Sequence, residues 1–178
     1  MPDLVNIKLI VILAVFAVTV TVYVFIARRR KRGGKHRLFR KRARRVARIL
    51  SRGREVDSAG KMAYLRKINP YVFEELVLDG FRSKGYGVKR NRRYSGDGGI
   101  DGRVYLDGKE YLVQCKRYKG HVRSADVMSF SALCAERGCG GFFVHTGKTG
   151  HGSKDAARFA DVRIISGKSL LDLLNCER

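Results

Sequence analysis

Between Gly96 and Tyr118 the chain reads GDGGIDGRVYLDGKEYLVQCKRY, and this stretch restricts the fold more than any other. Asp107-Gly108 separates two runs of β-forming residues, Ile100–Leu106 and Glu110–Tyr118, the sequence pattern of a two-residue hairpin. Side chains alternate along a strand, so residues two apart share a face. Leu112, Gln114 and Lys116 therefore point one way, and Tyr111, Val113 and Cys115 the other. On the first run Asp101 shares a face with Arg103 and Tyr105, opposite Ile100, Val104 and Leu106. Pairing the two runs brings Asp101, Gln114 and Lys116 to one rim of a sheet.

Around the hairpin the pattern is mixed. Asn69-Pro70 is a helix start, a capping side chain followed by proline at the first helical position. Phe73, Leu76, Val77, Gly80 and Phe81 then define a buried stripe that stops near Gly85. Glu74 borders that stripe, whereas Glu75 has Leu78, Asp79 and Arg82 as its helical neighbours and is expected to turn toward water. A strand over Tyr86–Tyr94 precedes the glycine loop. Beyond the hairpin follow a helix over Ser124–Arg137, an apolar strand over Gly141–Thr146, a short helix over Ser153–Ala160, the strand Val162–Ile165 and a last helix containing Leu170–Leu174. The order αβββαβαβ implies an α/β fold, a mixed sheet flanked by helices.

Charge divides the 178 residues unevenly. The formal net charge is +22, yet residues 28–54 alone hold 15 Lys or Arg and no acid. Residues 55–178 keep a moderate excess, 22 basic against 15 acidic. Both parts would attract a polyanion, nucleic acid or anionic lipid. Cys115, Cys134, Cys139 and Cys176 lack CxxC spacing and lie in or beside apolar runs, as buried reduced thiols do.

Ahead of the basic stretch, Leu9–Ala27 is 19 residues without a charge. As a helix it would rise ~28 Å, close to the hydrocarbon thickness of a bilayer. The run is long for a cleaved signal peptide, and Arg28-Arg29-Arg30-Lys31-Arg32 follows it in place of a cleavage site. Such a cluster orients a span with its C-terminal side in the cytoplasm. The expectation is a single-pass anchor over residues 1–27 in the cell (inner) membrane, a basic juxtamembrane linker over 28–60 broken at Gly33-Gly34, and a globular domain over 61–178. Within the linker, Phe39, Ala43, Val46, Ala47 and Leu50 form a helical stripe with arginines around the rest. Such a helix would lie on an anionic leaflet, grip a DNA backbone, or serve as a solvated linker.

At the rim of the hairpin, hydrolysis of a phosphodiester would need a hard cation, oxygen ligands for it, and a group that orients or deprotonates water. Asp101 offers an anionic ligand and the backbone carbonyl of Cys115 a neutral one. Gln114 offers an amide, Lys116 a cation for the phosphate, and Glu74 a carboxylate that would hold a water on the cation. Magnesium suits so sparse an oxygen site because it keeps several waters. Taken alone, the spacing from Asp101 to Gln114 and Lys116 is also that of ordinary strand residues, and Gly96–Gly99 that of an ordinary turn.

The combination FEEL at Phe73–Leu76, GY at Gly85–Tyr86, GDGGID at Gly96–Asp101 and QCKRY at Gln114–Tyr118 resembles the Mrr-type restriction endonuclease domain, a branch of the PD-(D/E)xK nuclease superfamily. GFFVHTG at Gly141–Gly147 and VRII at Val162–Ile165 are similar to its C-terminal half. The resemblance covers about residues 65–175. It implies a restriction-endonuclease-like fold and metal-dependent cleavage of DNA. It makes Asp101 the metal-binding aspartate, Lys116 the motif lysine and Glu74 the helix acid. Gln114 stands where most of the superfamily has an acid, the form usual in this branch. Asp97 is expected to hold the loop.

The function expected is thus a membrane-anchored, magnesium-dependent DNA endonuclease facing the cytoplasm. Lys89, Arg90, Arg92, Arg93, Arg117 and Lys119 would contact DNA, residues 9–27 and 28–54 the lipid, and a homodimer would serve double-strand cleavage. The alternative is a silent DNA-binding module that tethers DNA to the membrane. A third reading makes residues 1–54 a lipid anchor for a protein-interaction unit.

Overall fold

The computed structural model describes residues 2–52, 57–91 and 98–175, and for 2–11 and 28–33 the backbone alone. They divide into two compact units, Met1–Leu38 and Phe39–Arg178. Helix α1 runs from Pro2 to Arg52 and stays helical through Gly33 and Gly34, which interrupt the run of basic residues.

In the first unit the side chains from Ile12 to Ala27 are exposed, Phe16 at 66% and Tyr23 at 74% among them. That stretch rises ~24 Å as a helix, short of a hydrocarbon core of ~30 Å. Among the described residues no helix is long and apolar enough to cross a membrane. The expected transmembrane anchor, and with it a single-pass inner-membrane protein facing the cytoplasm, is corrected on this finding. The side chains of Leu9, Ile10 and Val11, and of the cluster 28–32, lie outside those described.

The second unit is built on a five-stranded sheet in the order β1-β2-β3-β4-β5: Gly87–Arg90, Gly102–Leu106, Lys109–Lys116, Gly140–His145 and Val162–Ile165. β1, β2 and β3 are antiparallel, whereas β3, β4 and β5 run parallel. Leu106 pairs with Lys109, and Asp107 and Gly108 take φ of 50° and 76°. Both central residues at positive φ make a two-residue turn whose twist matches the strands. The mixed α/β architecture expected from the sequence is present.

Alternation along β3 sorts the core into two layers. Tyr111 and Val113 face a cluster with Phe73, Leu76, Val77 and Phe81 of α3 (Pro70–Ser83) and Leu170 of α6 (Gly167–Leu174). Leu112 faces the other side, with Phe143, Val127 and Phe130 of α4 (Ser124–Glu136), and Ala156 of α5 (His151–Arg158). Asn69 caps α3 as expected, its side chain accepting from the N–H of Tyr71 at 3.0 Å. Helix α2 (Ser58–Lys67) was not expected. Asp57 caps it by accepting from Gly60 N at 2.7 Å, and Met62 and Leu65, one turn apart, are buried.

The end of α1 belongs to this core. Ala43, Val46 and Leu50 are 0%, 6% and 9% exposed, and Phe39 and Ala47 pack beside them. The apolar stripe that was expected to rest on an anionic leaflet is covered by the globular unit, while Arg42, Arg44, Arg45 and Arg48 around it stay exposed. Burying a Val or Leu contributes roughly 1.5–3 kcal/mol, which explains why the domain takes it.

Candidate active site

Asp101 lies just ahead of β2, where the ladder with β3 ends. Its backbone N–H donates to Val113 O at 2.8 Å, and its carboxylate Oδ2 accepts the N–H of Cys115 at 2.6 Å. In an extended strand the N–H and C=O of one residue face the same neighbour. The Cys115 carbonyl is therefore turned toward the same edge as Asp101, beyond the end of β2.

Glycine is required on the approach to this edge. Gly99 has φ +82°, and a Cβ there would stand 2.5 Å from Gln114 Nε2. That nitrogen donates instead to the Gly99 carbonyl at 2.7 Å, and Gln114 is 7% exposed. Asn91 closes the loop from the other end, its side-chain amide donating to Ile100 O. Gly102 admits α3: a Cβ there would meet Leu78 at 2.7 Å. Residues 92–97, which include Asp97, lie outside the described residues.

The electrostatics bring Glu74 to the same place. Burial, then the charges of Asp101 and Glu75, push the Glu74 carboxyl up to about 8, against a lowering by Arg117. Asp101 is pushed up to about 6 by burial, which outweighs the Cys115 N–H and the Lys116 charge. The Cys115 thiol is driven well above its usual value by burial and then by Asp101 and Glu74. Glu74 from α3, Asp101 at the head of β2 and the end of β3 thus form one cluster in which two carboxylates repel. A cation placed there would relieve both.

Of the two acids of α3, Glu75 is not turned toward water as expected. Glu75 is 2% exposed and accepts from Arg90 Nε at 2.6 Å, while Arg90 also donates to Asp79. Glu74 is the half-buried one. Arg90 is thereby used inside the fold, which corrects its assignment to a DNA-facing surface. Arg117 donates to Arg66 O at 3.1 Å and to Ile68 O, holding the C-terminal end of α2. Lys89 and Lys119 are exposed, and Arg92 and Arg93 lie outside the described residues.

A neighbouring cluster was missed. Tyr118 donates its hydroxyl to Asp126, and Arg123 donates to the same carboxylate at 2.9 and 3.0 Å. Burial and then Asp126 push the Tyr118 phenol up to about 12. Burial opposes ionisation of Asp126, yet bonds from Tyr118 and Arg123 and the charges of Arg123 and Lys116 hold its pKa below the usual value. The Lys116 charge thus acts on both Asp101 and Asp126. The only advance signal was Arg123 three residues before Asp126 at a helix start.

His145 is no candidate base. It is fully buried, accepts Gly147 N–H on Nδ1 at 3.1 Å and meets Thr149 Oγ1 through Nε2 at 3.1 Å. Burial lowers its pKa to about 4. Among the described residues no group of three or more His, Cys, Asp or Glu is placed to hold a metal. Any cation would rest on two carboxylates and neutral oxygens.

Known proteins are similar to this chain in sequence and fold. Type IV methyl-directed restriction enzyme EcoKMrr of Escherichia coli (strain K12) is 30% identical over 119 residues, which cover 62% of this chain and 39% of that enzyme. The chain spans about two fifths of that relative's length. The solved structure of MspJI restriction endonuclease in complex with a 27-mer oligonucleotide superposes with a TM-score of 0.52 at 25% identity, over 65% of this chain and 30% of that one. Residues 65–174, well over half of the chain and the span from the last turn of α2 through α6 that carries Glu74, Asp101, Gln114 and Lys116, match the Mrr_cat model of restriction endonucleases, and the chain belongs to that family.

Proposed function

We propose that the chain is a divalent-metal-dependent DNA endonuclease that hydrolyses phosphodiester bonds at the cluster of Glu74, Asp101, Gln114 and Lys116, with magnesium as its cation. What supports this reading is that two half-buried acids, with Glu74 held above its ordinary range by burial and by the charge of Asp101, lie by the edge toward which the Cys115 carbonyl is directed.

The donor set fits a hard cation that keeps several waters. Asp101 and the Cys115 carbonyl would hold it directly, and Glu74 through a water. With its amide nitrogen given to Gly99, Gln114 has its oxygen to offer. When bound, such a cation polarises a phosphoryl oxygen and lowers the pKa of water. Lys116 supplies positive charge to the scissile phosphate or orients the attacking water. The charge of Lys116 acts on Asp126 as well as on Asp101. Hydrolysis of both strands needs two such sites, for which a homodimer is the simplest arrangement.

The test is incubation of the full chain with supercoiled plasmid, methylated and unmethylated, with magnesium or with EDTA. Nicking or linearisation that requires magnesium and disappears in Lys116→Ala, while duplex binding persists, is the expected result. Cleavage by Lys116→Ala at the wild-type rate would refute the assignment.

A further inference from the structure

The segment Phe39–Arg52 of α1 belongs to the globular unit and carries seven Lys or Arg and no acid. Its apolar stripe is taken up by the core, with Ala43, Val46 and Leu50 buried. Its other face presents Lys41, Arg42, Arg44, Arg45, Arg48 and Arg52, all exposed. Arg40, at the border, has a buried Nε without a hydrogen-bond partner. Cations four residues apart, such as Lys41 with Arg45 and Arg44 with Arg48, are neighbours on a helix and repel. No acid within the segment relieves them.

Two kinds of polyanion would. An interfacial helix needs a free apolar face to sink into the acyl boundary as well as a basic one, and here the apolar face is covered. A phosphodiester backbone asks only for cations along its track. Position favours the same partner. The Phe39 ring packs on Tyr71 with centroids 5.4 Å apart, and Tyr71 lies three residues before Glu74 on α3, within one helical turn. The segment that carries the basic face is thus anchored, through its packed stripe, about one turn of α3 from Glu74.

We infer that the exposed basic face of Phe39–Arg52 binds the phosphate backbone of DNA without sequence preference and delivers it to the edge holding Glu74 and Asp101. The choice of DNA rests on the nuclease reading, but the binding itself requires no cleavage.

The experiment measures binding of the full chain to a short fluorescent duplex in EDTA across a series of KCl concentrations. Arg44→Gln, Arg45→Gln and Arg48→Gln are combined in one variant, and a matched variant carries Lys at the three positions. Each lost phosphate contact removes ~0.9 from the slope of log K against log salt, so the Gln variant should be shallower by ~2–3 and bind at least ~10-fold more weakly. The Lys variant should keep the wild-type slope. An unchanged slope and affinity in the Gln variant overturns the inference. Loss of binding to phosphatidylserine-containing vesicles by the Gln variant, with duplex binding unmoved, overturns it in favour of a bilayer. A chain that shows the arginine-dependent slope but never cleaves plasmid loses only the nuclease reading. A chain that cleaves but binds independently of these arginines loses only this inference.

Discussion

The Asp101 carboxylate accepts the backbone N–H of Cys115 at 2.6 Å, so a side chain just ahead of β2 completes the ladder that β2 itself leaves unfinished. The same oxygen pair is the candidate cation ligand. Structural and chemical roles separate by substitution. Asp101→Asn keeps an acceptor for Cys115 N–H and should stay within ~1 kcal/mol of wild type in urea denaturation. Asp101→Ala leaves that donor unpaired and should lose roughly 1–3 kcal/mol. Equal stability of the two variants would show that the contact contributes nothing.

Glu74 gives the domain an unusual dependence on pH. Its folded pKa, about 8, lies above its ordinary 4.5, so the folded chain keeps a proton that the unfolded chain releases between those values. Stability without a divalent cation is therefore greatest at the acidic end and falls as pH rises toward 8. Glu74→Gln should remove this slope and stabilise the fold at pH 8 by on the order of 2 kcal/mol, while impairing cleavage. His145 works in the opposite sense. Its folded pKa of about 4 lies below the ordinary 6.5, so stability is lost as pH falls through that window. Urea melts in EDTA at several pH values, wild type against Glu74→Gln, isolate the first effect. Parallel curves for the two proteins would contradict it.

Gly99 should tolerate no side chain. At φ +82°, with Gln114 Nε2 standing 2.5 Å from the place of a Cβ, Gly99→Ala strains the backbone and displaces the Gln114 amide. The expected cost is ~1–3 kcal/mol in thermal or urea melts, with plasmid cleavage falling at least ~10-fold because a misplaced ligand shell is catalytically costly. Wild-type stability and rate in this variant would refute the role given to the Gly99–Gln114 contact.

The end of α1 should be indispensable to the globular unit. Val46 is 6% exposed in a cluster with Met62, Leu65 and Phe73. Val46→Asp buries an unpaired carboxylate and should destabilise the domain by at least ~3 kcal/mol, whereas Arg45→Asp on the exposed face should change stability little. Circular dichroism melts of the two full-length variants compare them directly.

The sequence made the hairpin legible because its information is local. Asp107-Gly108 specifies the turn, and strand alternation then places Gln114 and Lys116 on the face opposite Tyr111 and Val113. Glu74 was found from helix periodicity and from the family pattern together. Long-range partners were not legible. Glu75 looked solvent-facing until Arg90, fifteen residues on and in β1, came to cover it. The stripe from Phe39 to Leu50 announced an amphipathic helix correctly, but periodicity says only that one face is covered, never by what. The apolar run at Leu9–Ala27 misled similarly, since length and composition alone suggested a bilayer.

The most direct measurement is the magnesium-dependent rate of plasmid cleavage by Asp101→Asn beside wild type, with both chains shown by melts to be equally folded. The account predicts that wild type cleaves and that the variant, which differs by one charge at the cation edge, is slower by at least ~10³-fold, as expected for loss of a group acting directly on the transition state. A folded Asp101→Asn that cleaves at the wild-type rate would contradict the placement of the catalytic centre at Asp101.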